Sequence, residues 1–201
     1  MTKSTVVEEV SISRESFVFG NRIPKEYFIV LGTGESDSCG YPNAFDEALK
    51  KGGGGVDKSG LVVSNFITYS SIIPKEAFRV EVPNKFVHGQ VVESIMAVQY
   101  CKKGERATAG LLIVHLHKKK SGEKIGGLVL EFHGHEDLDK AKELLMGRMD
   151  EMIKIRYGDL PKSDQPYVKD FELYLDSIVP EKNHGAAVAA LCYTSYEYPR
   201  V

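Results

Sequence analysis

Three strand-like runs between residues 91 and 133 restrict the possible folds more than any other part of the chain. The runs VVESIMAVQY, TAGLLIVHLH and KIGGLVLEFH are rich in β-branched and other apolar residues, which favour β-strands. The segments CKKGERA and KKKSGE between them contain glycine and charged residues, as expected of turns. Because strands joined by short turns usually pair with their neighbours, this pattern predicts a β-meander.

The rest of the chain adds further strands and two helices. Strands are predicted at residues 26–36, 62–73, 172–180 and 185–198, and helices at residues 43–51 and 136–157. In the short helix, Asn43 is a candidate N-cap, and Asp46 lies in the first turns, where an acidic residue suits the helix dipole. Apolar residues make up 42% of the chain, which is enough for a normal core. These features predict a single α+β domain in packed layers.

Charge and cysteine usage exclude several classes of function. The net charge is -2, and only residues 118–120 approach a basic cluster, so we expect a hairpin tip there and no nucleic-acid surface. No run is long and apolar enough to span a membrane, and the first 16 residues include acids, so we expect neither a signal peptide nor an anchor. Cys39, Cys101 and Cys192 are odd in number and widely spaced, which predicts a reducing, cytoplasmic location.

The histidines do not predict a metal site. His115 and His133 each begin a pair of histidines on one face of a strand. If the hairpin between them turns near residues 121–122, His115 pairs roughly with Leu128, and the two histidine pairs lie about 16 Å apart at about 3.3 Å per residue. Zinc requires ligands at about 2 Å, so we predict no metal.

Ser70 and Ser71 interrupt a run, VVSNFITYSSIIP, that otherwise has the composition of a core strand. Adjacent serines permit a reaction of the backbone, in which the Ser71 hydroxyl attacks the preceding carbonyl and converts the amide to an ester. β-Elimination then breaks the chain, and hydrolysis of the resulting dehydroalanine leaves an N-terminal pyruvoyl group. The alternative is that both hydroxyls form local hydrogen bonds at a strand end, and the dipeptide alone favours this alternative.

The residues around the serine pair resemble the pyruvoyl-dependent arginine decarboxylases. Those enzymes contain an NAFD-type segment, an asparagine six residues before the modified serine, an SSI-P cleavage site and a glutamate in a GL-(x)2-E-aromatic strand. The corresponding elements here are NAFD at residues 43–46, Asn65, SSIIP at residues 70–74 and GLVLEF at residues 127–132. The resemblance covers about residues 26–197.

The resemblance implies a role for each of these residues. Cleavage of the Ser70–Ser71 bond turns Ser71 into the pyruvoyl group, which is the covalent cofactor. Asn65 orients this cleavage or holds the pyruvoyl end. Glu131 donates a proton to the decarboxylated intermediate, and its apolar neighbours favour the raised pKa that such a donor needs. Asp46 receives the guanidinium group of the substrate, for which a fixed carboxylate is well matched.

The resemblance also implies a fold, an assembly and an activity. We expect a layered αββα sandwich over residues 26–201, cleaved into chains of residues 1–70 and 71–201, and assembled as a trimer with active sites at subunit interfaces. Residues 1–25 have no clear counterpart and form an N-terminal extension. The implied reaction converts L-arginine to agmatine and CO2 through a Schiff base with the pyruvoyl group. Two alternatives stay open: another amino acid such as histidine as substrate, and an unprocessed paralogue that binds arginine or agmatine without catalysis.

Overall fold

The computed structural model describes residues 22–38, 40–52, 65–68, 71–83 and 86–198. The strands are β1 (Ile23–Ser36), β2 (Asn65–Thr68), β3 (Ile72–Ile73), β4 (Phe78–Arg79), β5 (Val91–Lys102), β6 (Ala107–Lys118), β7 (Lys124–Gly134), β8 (Pro166–Ile178) and β9 (His184–Glu197). The helices are α1 (Tyr41–Gly52) and α2 (Leu138–Tyr157). Within these described ranges, neither helix has the length and apolar character needed to cross a membrane.

The strands form two sheets. Sheet A has the order β2-β5-β9-β1-β4, and sheet B has the order β3-β7-β6-β8. Strand β9 lies at the centre of sheet A and pairs in antiparallel fashion with β1 and β5. Its residues from Ala186 to Tyr193 are buried, as predicted from the small and apolar composition of this closing strand.

The predicted meander is wrong for its first strand. Strands β6 and β7 form the expected antiparallel hairpin, but β5 pairs with β9 in sheet A. His115 lies opposite Gly127, one residue from the predicted Leu128, because the hairpin turns between Lys118 and Glu123, slightly earlier than predicted. Local composition predicts which segments form strands and where the turns between them lie. The choice of partner depends on which apolar faces meet, and a local pattern does not contain this information.

The two sheets pack face to face, and alternate residues of their strands form the core between them. This core includes Ile29, Ile95, Ala97, Ala189 and Leu191 from sheet A and Leu111, Ile113 and Val129 from sheet B. Helix α1 covers the outer face of sheet A through Ala48 and Leu49. Helix α2 covers the outer face of sheet B through Ala141 and Leu145. The protein is therefore a single α+β domain with an αββα order of layers, as predicted.

Helix α1 begins at Tyr41, two residues before the predicted N-cap. Pro42 fits the first turn, because the N–H that proline lacks would have no helical partner there. Asn43 therefore lies inside the helix, and its amide donates a hydrogen bond to the Ser38 hydroxyl at 3.3 Å. Asp46 falls in the second turn, so its predicted place in the first turn is wrong.

Gly32 allows this helix to lie directly against β1. A Cβ atom at Gly32 would lie 2.5 Å from the carbonyl oxygen of Ala48 and 2.6 Å from the backbone nitrogen of Gly52. No side chain fits at such distances, so the approach requires glycine. The close packing places α1, and with it Asp46, on the outer face of sheet A.

Candidate active site

Ser71 lies where the chain passes from one sheet to the other. Strand β2 ends at Thr68 in sheet A, and β3 begins at Ile72 in sheet B. Ser71 is partly buried, whereas Ser70, the other half of the predicted cleavage site, lies outside the described residues. Ile73 is buried in the core between the sheets. Ser71 directly precedes β3, two residues before Ile73.

The backbone that follows Ser71 is anchored to both sheets. The backbone N–H of Val129 on β7 donates a hydrogen bond to the Ser71 carbonyl oxygen at 2.9 Å. The hydroxyl of Tyr193 on β9 donates one to the Ile72 carbonyl oxygen at 3.0 Å. Tyr193 is buried, and its ring packs edge-on against Tyr27 with 6.5 Å between the ring centroids. Two consecutive carbonyls are thus held by donors from opposite layers, which fixes the chain after Ser71.

Glu131 shares the inward face of β7. Val129 packs between the sheets, while Leu130 and Phe132 pack against α2 on the other face. Alternation therefore turns Glu131 toward the space between the sheets, two residues or about 6.6 Å along the strand from Val129. Because Val129 is hydrogen-bonded to Ser71, the predicted reactive residue and the predicted proton donor lie about two strand residues apart along β7.

The surroundings of Glu131 raise its pKa. Burial is the main cause, although Glu131 remains exposed on one side. The Met96 backbone and the charge of His133 lower the pKa, but less than burial raises it. A carboxylic acid with a raised pKa keeps its proton to higher pH, which a proton donor working near neutral pH requires.

Asn65 lies on β2, the strand beside β5, and its side chain is outside the described part of the structure. Asn65 begins β2, which runs parallel to β5 at the edge of sheet A. At the other end of β2, Thr68 lies opposite Ser94 of β5. Met96, which approaches Glu131, follows two residues later on β5. The role of Asn65 stays a prediction.

Asp46 faces a cavity. This cavity, of about 600 Å³, is lined by residues of both charges, including Glu47, Lys50 and Lys182. Burial raises the pKa of Asp46, Lys50 acts to lower it, and Glu47 adds to the rise. Lys50 is itself paired with Glu47 at 2.9 Å between its Nζ and Oε1. A partly buried carboxylate beside open space is able to accept a cationic group from outside the protomer.

One protomer does not bring Asp46 to Ser71 and Glu131. The charge of Asp46 raises the pKa of Tyr100 on β5, after the larger effect of burial. Glu131 instead approaches Met96 of the same strand, from the opposite side of sheet A. Four strand residues, or about 13 Å, separate these two contacts along β5. A site that uses both carboxylates therefore needs a second copy of the chain.

Two residues near Ser71 were not identified from the sequence. Tyr193 ends GAAVAALCY, a run of mostly small residues. A large side chain at the end of such a run is the sequence feature that indicates a contact across the core. Glu93 lies opposite Tyr193 in sheet A and is only 4% exposed. Within VVESIM it has the pattern of an ordinary strand glutamate, so the sequence offers no sign of its burial.

A comparison with known protein families matches the part of the chain that contains these site residues. Residues 26–198 match the family model described as Pyruvoyl-dependent arginine decarboxylase (PvlArgDC). The matched range contains Asp46, Asn65, Ser71 and Glu131 and begins four residues after Arg22. No curated protein sequence matches the chain.

Proposed function

The chain belongs to the pyruvoyl-dependent arginine decarboxylase family, and we propose that it is a self-processing carboxy-lyase that converts L-arginine to agmatine and CO2. The observation that carries this proposal is the arrangement at Ser71, where the Ser71 carbonyl is held from sheet B and the Ile72 carbonyl from sheet A, while Glu131 lies on the inward face of β7. We also expect the enzyme to act in the cytoplasm, because Cys101 and Cys192 are buried free thiols.

The residues present fit a pyruvoyl group formed from Ser71. The Ser71 carbonyl already accepts a hydrogen bond from the Val129 N–H at 2.9 Å, and the next carbonyl is held by Tyr193. When formed, the pyruvoyl group supplies an electrophilic ketone that takes up the amine of the substrate and withdraws electrons as CO2 leaves. A backbone N–H directed at the adjoining carbonyl favours negative charge on that oxygen.

The group would form by reaction of the chain with itself. The Ser71 Oγ attacks the Ser70 carbonyl carbon, the bond from that carbon to the Ser71 nitrogen breaks, and the nitrogen takes up the hydroxyl proton. Loss of the Ser71 Cα proton then forms a Cα=Cβ double bond and breaks the Cβ–Oγ bond, which releases residues 1–70 with a carboxylate. Water finally replaces the nitrogen of the new N-terminal residue, and ammonia leaves. In this scheme Asn65 orients the reacting groups.

Glu131 then serves as the acid of the decarboxylation. Its raised pKa lets it hold a proton, and its inward position on β7 directs that proton toward the space beside Ser71. Protonation at the carbon that has lost CO2 completes the conversion to the amine product. General acid catalysis of this kind typically contributes about 10²–10⁴-fold.

The guanidinium group of the substrate is bound by Asp46 of a neighbouring copy of the chain. The carboxylate is partly buried and faces a cavity, but lies across sheet A from Glu131 of its own protomer. An oligomer, which we expect to be a trimer, would place Asp46 of one copy beside Ser71 and Glu131 of another. A planar guanidinium forms two parallel hydrogen bonds with a carboxylate, which favours arginine over lysine or histidine.

The first test is the mass of the purified protein. The wild type is expected to yield two fragments, residues 1–70 and a pyruvoyl-blocked 71–201, in place of one chain of 22.3 kDa. Ser71→Ala removes the attacking hydroxyl and should remain one intact, inactive chain. Ser70→Ala keeps the attacked carbonyl and should still be cleaved, which makes it the matched control. A wild type that stays in one piece would favour the unprocessed paralogue instead.

The second test mixes two variants with different defects. Alone, Glu131→Gln should lose about 10²–10⁴-fold in activity, and Asp46→Asn about 10- to 150-fold in kcat/KM for arginine. In a randomly co-assembled trimer, about one quarter of the sites would combine an intact Glu131 with an intact Asp46 from a neighbour. Activity near that level supports the shared site, whereas activity no higher than the average of the two variants contradicts it. The same assay with lysine, ornithine and histidine checks substrate choice.

A further inference from the structure

The guanidinium group of Arg22 is bound to the buried carboxylate of Glu93, close to Ser71. Glu93 on β5 is only 4% exposed, and its Oε1 forms an ion pair with the guanidinium of Arg22. The same guanidinium lies over the ring of Tyr196, 5.2 Å from the ring centroid. A carboxylate and an aromatic face are the two features that recognise a guanidinium group in proteins.

This contact lies beside the anchored chain end. Glu93 is directly opposite Tyr193 in sheet A, and the hydroxyl of Tyr193 holds the Ile72 carbonyl. Tyr196 follows on the same strand, β9, and packs against the core between the sheets. Glu93 and Tyr196 thus belong to the layer that positions the residue after Ser71.

The occupant comes from outside the family domain. The family match begins at residue 26, so Glu93 and Tyr196 lie inside it and Arg22 precedes it. The carboxylate and the aromatic ring are therefore parts of the domain itself, whereas the guanidinium that fills them is supplied by the segment before it.

Only one oxygen of the Glu93 carboxylate has a partner among the described residues. Glu93 Oε2 is buried and accepts no hydrogen bond from any described residue. An unsatisfied buried oxygen costs free energy, and a guanidinium that donates to both oxygens would remove this cost. An ammonium ion is a point charge without this fork geometry, so it would satisfy the same carboxylate less well.

We propose that Glu93 and Tyr196 form a guanidinium-binding site beside Ile72, which Arg22 fills in this structure and which a free alkylguanidinium such as arginine or agmatine occupies when it displaces Arg22. The site is separate from Asp46, which lies on the outer face of sheet A. It does not depend on the proposed catalytic activity, because its recognition elements are present in the uncleaved chain.

The experiment is chemical rescue of thermal stability in the full chain carrying Ser71→Ala, so that cleavage plays no part. Arg22→Ala leaves Glu93 buried without its partner and should lower the Tm. Ethylguanidinium should then raise the Tm of Arg22→Ala by about 3–6 °C at ten times its dissociation constant. Ethylammonium should give less than half of that rise. With Arg22 in place the rise from ethylguanidinium should also be smaller, because the ligand must displace the internal guanidinium.

Two control variants isolate the site. Adding Glu93→Gln to Arg22→Ala removes the carboxylate charge and should abolish the rise. Arg79→Ala removes a guanidinium that lies over Tyr174 at the other edge of the sandwich, and should give no rescue. Equal rises with and without Glu93→Gln, or equal rises with ethylammonium, would overturn the proposal. If Arg22→Ala does not fold, Arg22→Lys keeps the charge but loses the fork, and the same comparison with Glu93→Gln decides.

Discussion

The two edges of the sandwich contain the same contact in two different settings. Toward the edge formed by β2 and β3, Arg22 lies over Tyr196 of the central strand β9 and pairs with Glu93 of β5, the strand next to β2. At the edge formed by β4 and β8, the guanidinium of Arg79 lies 5.4 Å from the centroid of the Tyr174 ring and pairs with Glu172. We refer to these as the Ser71 edge and the Arg79 edge.

The two edges differ in how many hydrogen-bond and ion-pair partners their carboxylates have. Glu172 accepts hydrogen bonds from Tyr174 at 2.5 Å and Arg79 at 3.4 Å, and His115 lies at 3.3 Å. Burial alone would raise the pKa of Glu172, but these contacts outweigh it and the pKa is lowered. Burial and the same carboxylate raise the pKa of Tyr174 to about 12.

The carboxylates of the Ser71 edge are left incompletely paired. Glu93 has a buried oxygen with no hydrogen-bond partner among the described residues, and burial raises the pKa of Glu131. A saturated network rigidifies a structure, whereas unsatisfied groups are open to ligands and protons. The comparison supports our proposal that catalysis takes place at the Ser71 edge, whereas the contacts of the Arg79 edge stabilise the fold.

The largest expected effect distinguishes the two edges by activity. Glu131→Gln should reduce decarboxylation of arginine by about 10²–10⁴-fold, because the amide cannot donate the required proton. Glu172→Gln has a similar change of charge at the Arg79 edge and should stay within about 3-fold of the wild type. Agmatine release is measured only on protein that a denaturing gel shows to be fully cleaved. Similar losses in both variants would remove the functional distinction.

A smaller effect distinguishes the edges by stability. Breaking a buried ion pair typically costs about 3–5 kcal/mol, and the partial exposure of Arg22 reduces this figure. Arg22→Ala should therefore lower the Tm by about 4–10 °C, and Arg79→Ala, whose pair is at the surface, by less than about 3 °C. Differential scanning calorimetry on the Ser71→Ala chain gives both values. The reverse order would mean that Glu93 does not depend on Arg22.

The smallest effect is a difference in pH dependence. The pKa of Glu172 is lowered by folding, so its contribution to stability is present above its unfolded value of about 4.3 and is lost as the pH falls through the folded pKa. The loss of Tm in Glu172→Gln should therefore be largest near neutral pH. The charges facing Glu172 come from Arg79 and His115, with Asp170 also near His115.

Glu131 should show the opposite sign. Its pKa is raised by folding, so charging it opposes folding, and stability is lost as the pH rises through the folded pKa. Glu131→Gln should gain in Tm relative to the parent chain as the pH rises from 4 to 7. The charge of His133 on β7 acts on Glu131, and Arg148, Glu151 and Arg156 of α2 line a cavity of about 410 Å³ together with this residue. The same direction of change in both variants would show that burial does not dominate at Glu131.

Much of the local structure could be predicted because it depends on periodicity and composition. The strands, the long helix and the buried closing strand follow from alternation and residue type, and the layered αββα sandwich follows from the family resemblance. The start of α1 could not be placed, because Pro42 is compatible with both a loop and a first helical turn. The pairing of β5 with β9 also could not be predicted, since strand partners are selected by packing over long sequence distances.

The sequence by itself determined which residues are candidates for the proposed chemistry, because the serine pair, Asn65, Glu131 and Asp46 occur in an ordered set of motifs. Only the tertiary structure decided which of them meet. It joined Ser71 to the strand of Glu131, left Asp46 across sheet A, and brought Arg22 to Glu93. The physical reason is that motifs record the type and order of side chains, whereas contacts across two packed sheets depend on the register and burial of strands far apart in the chain.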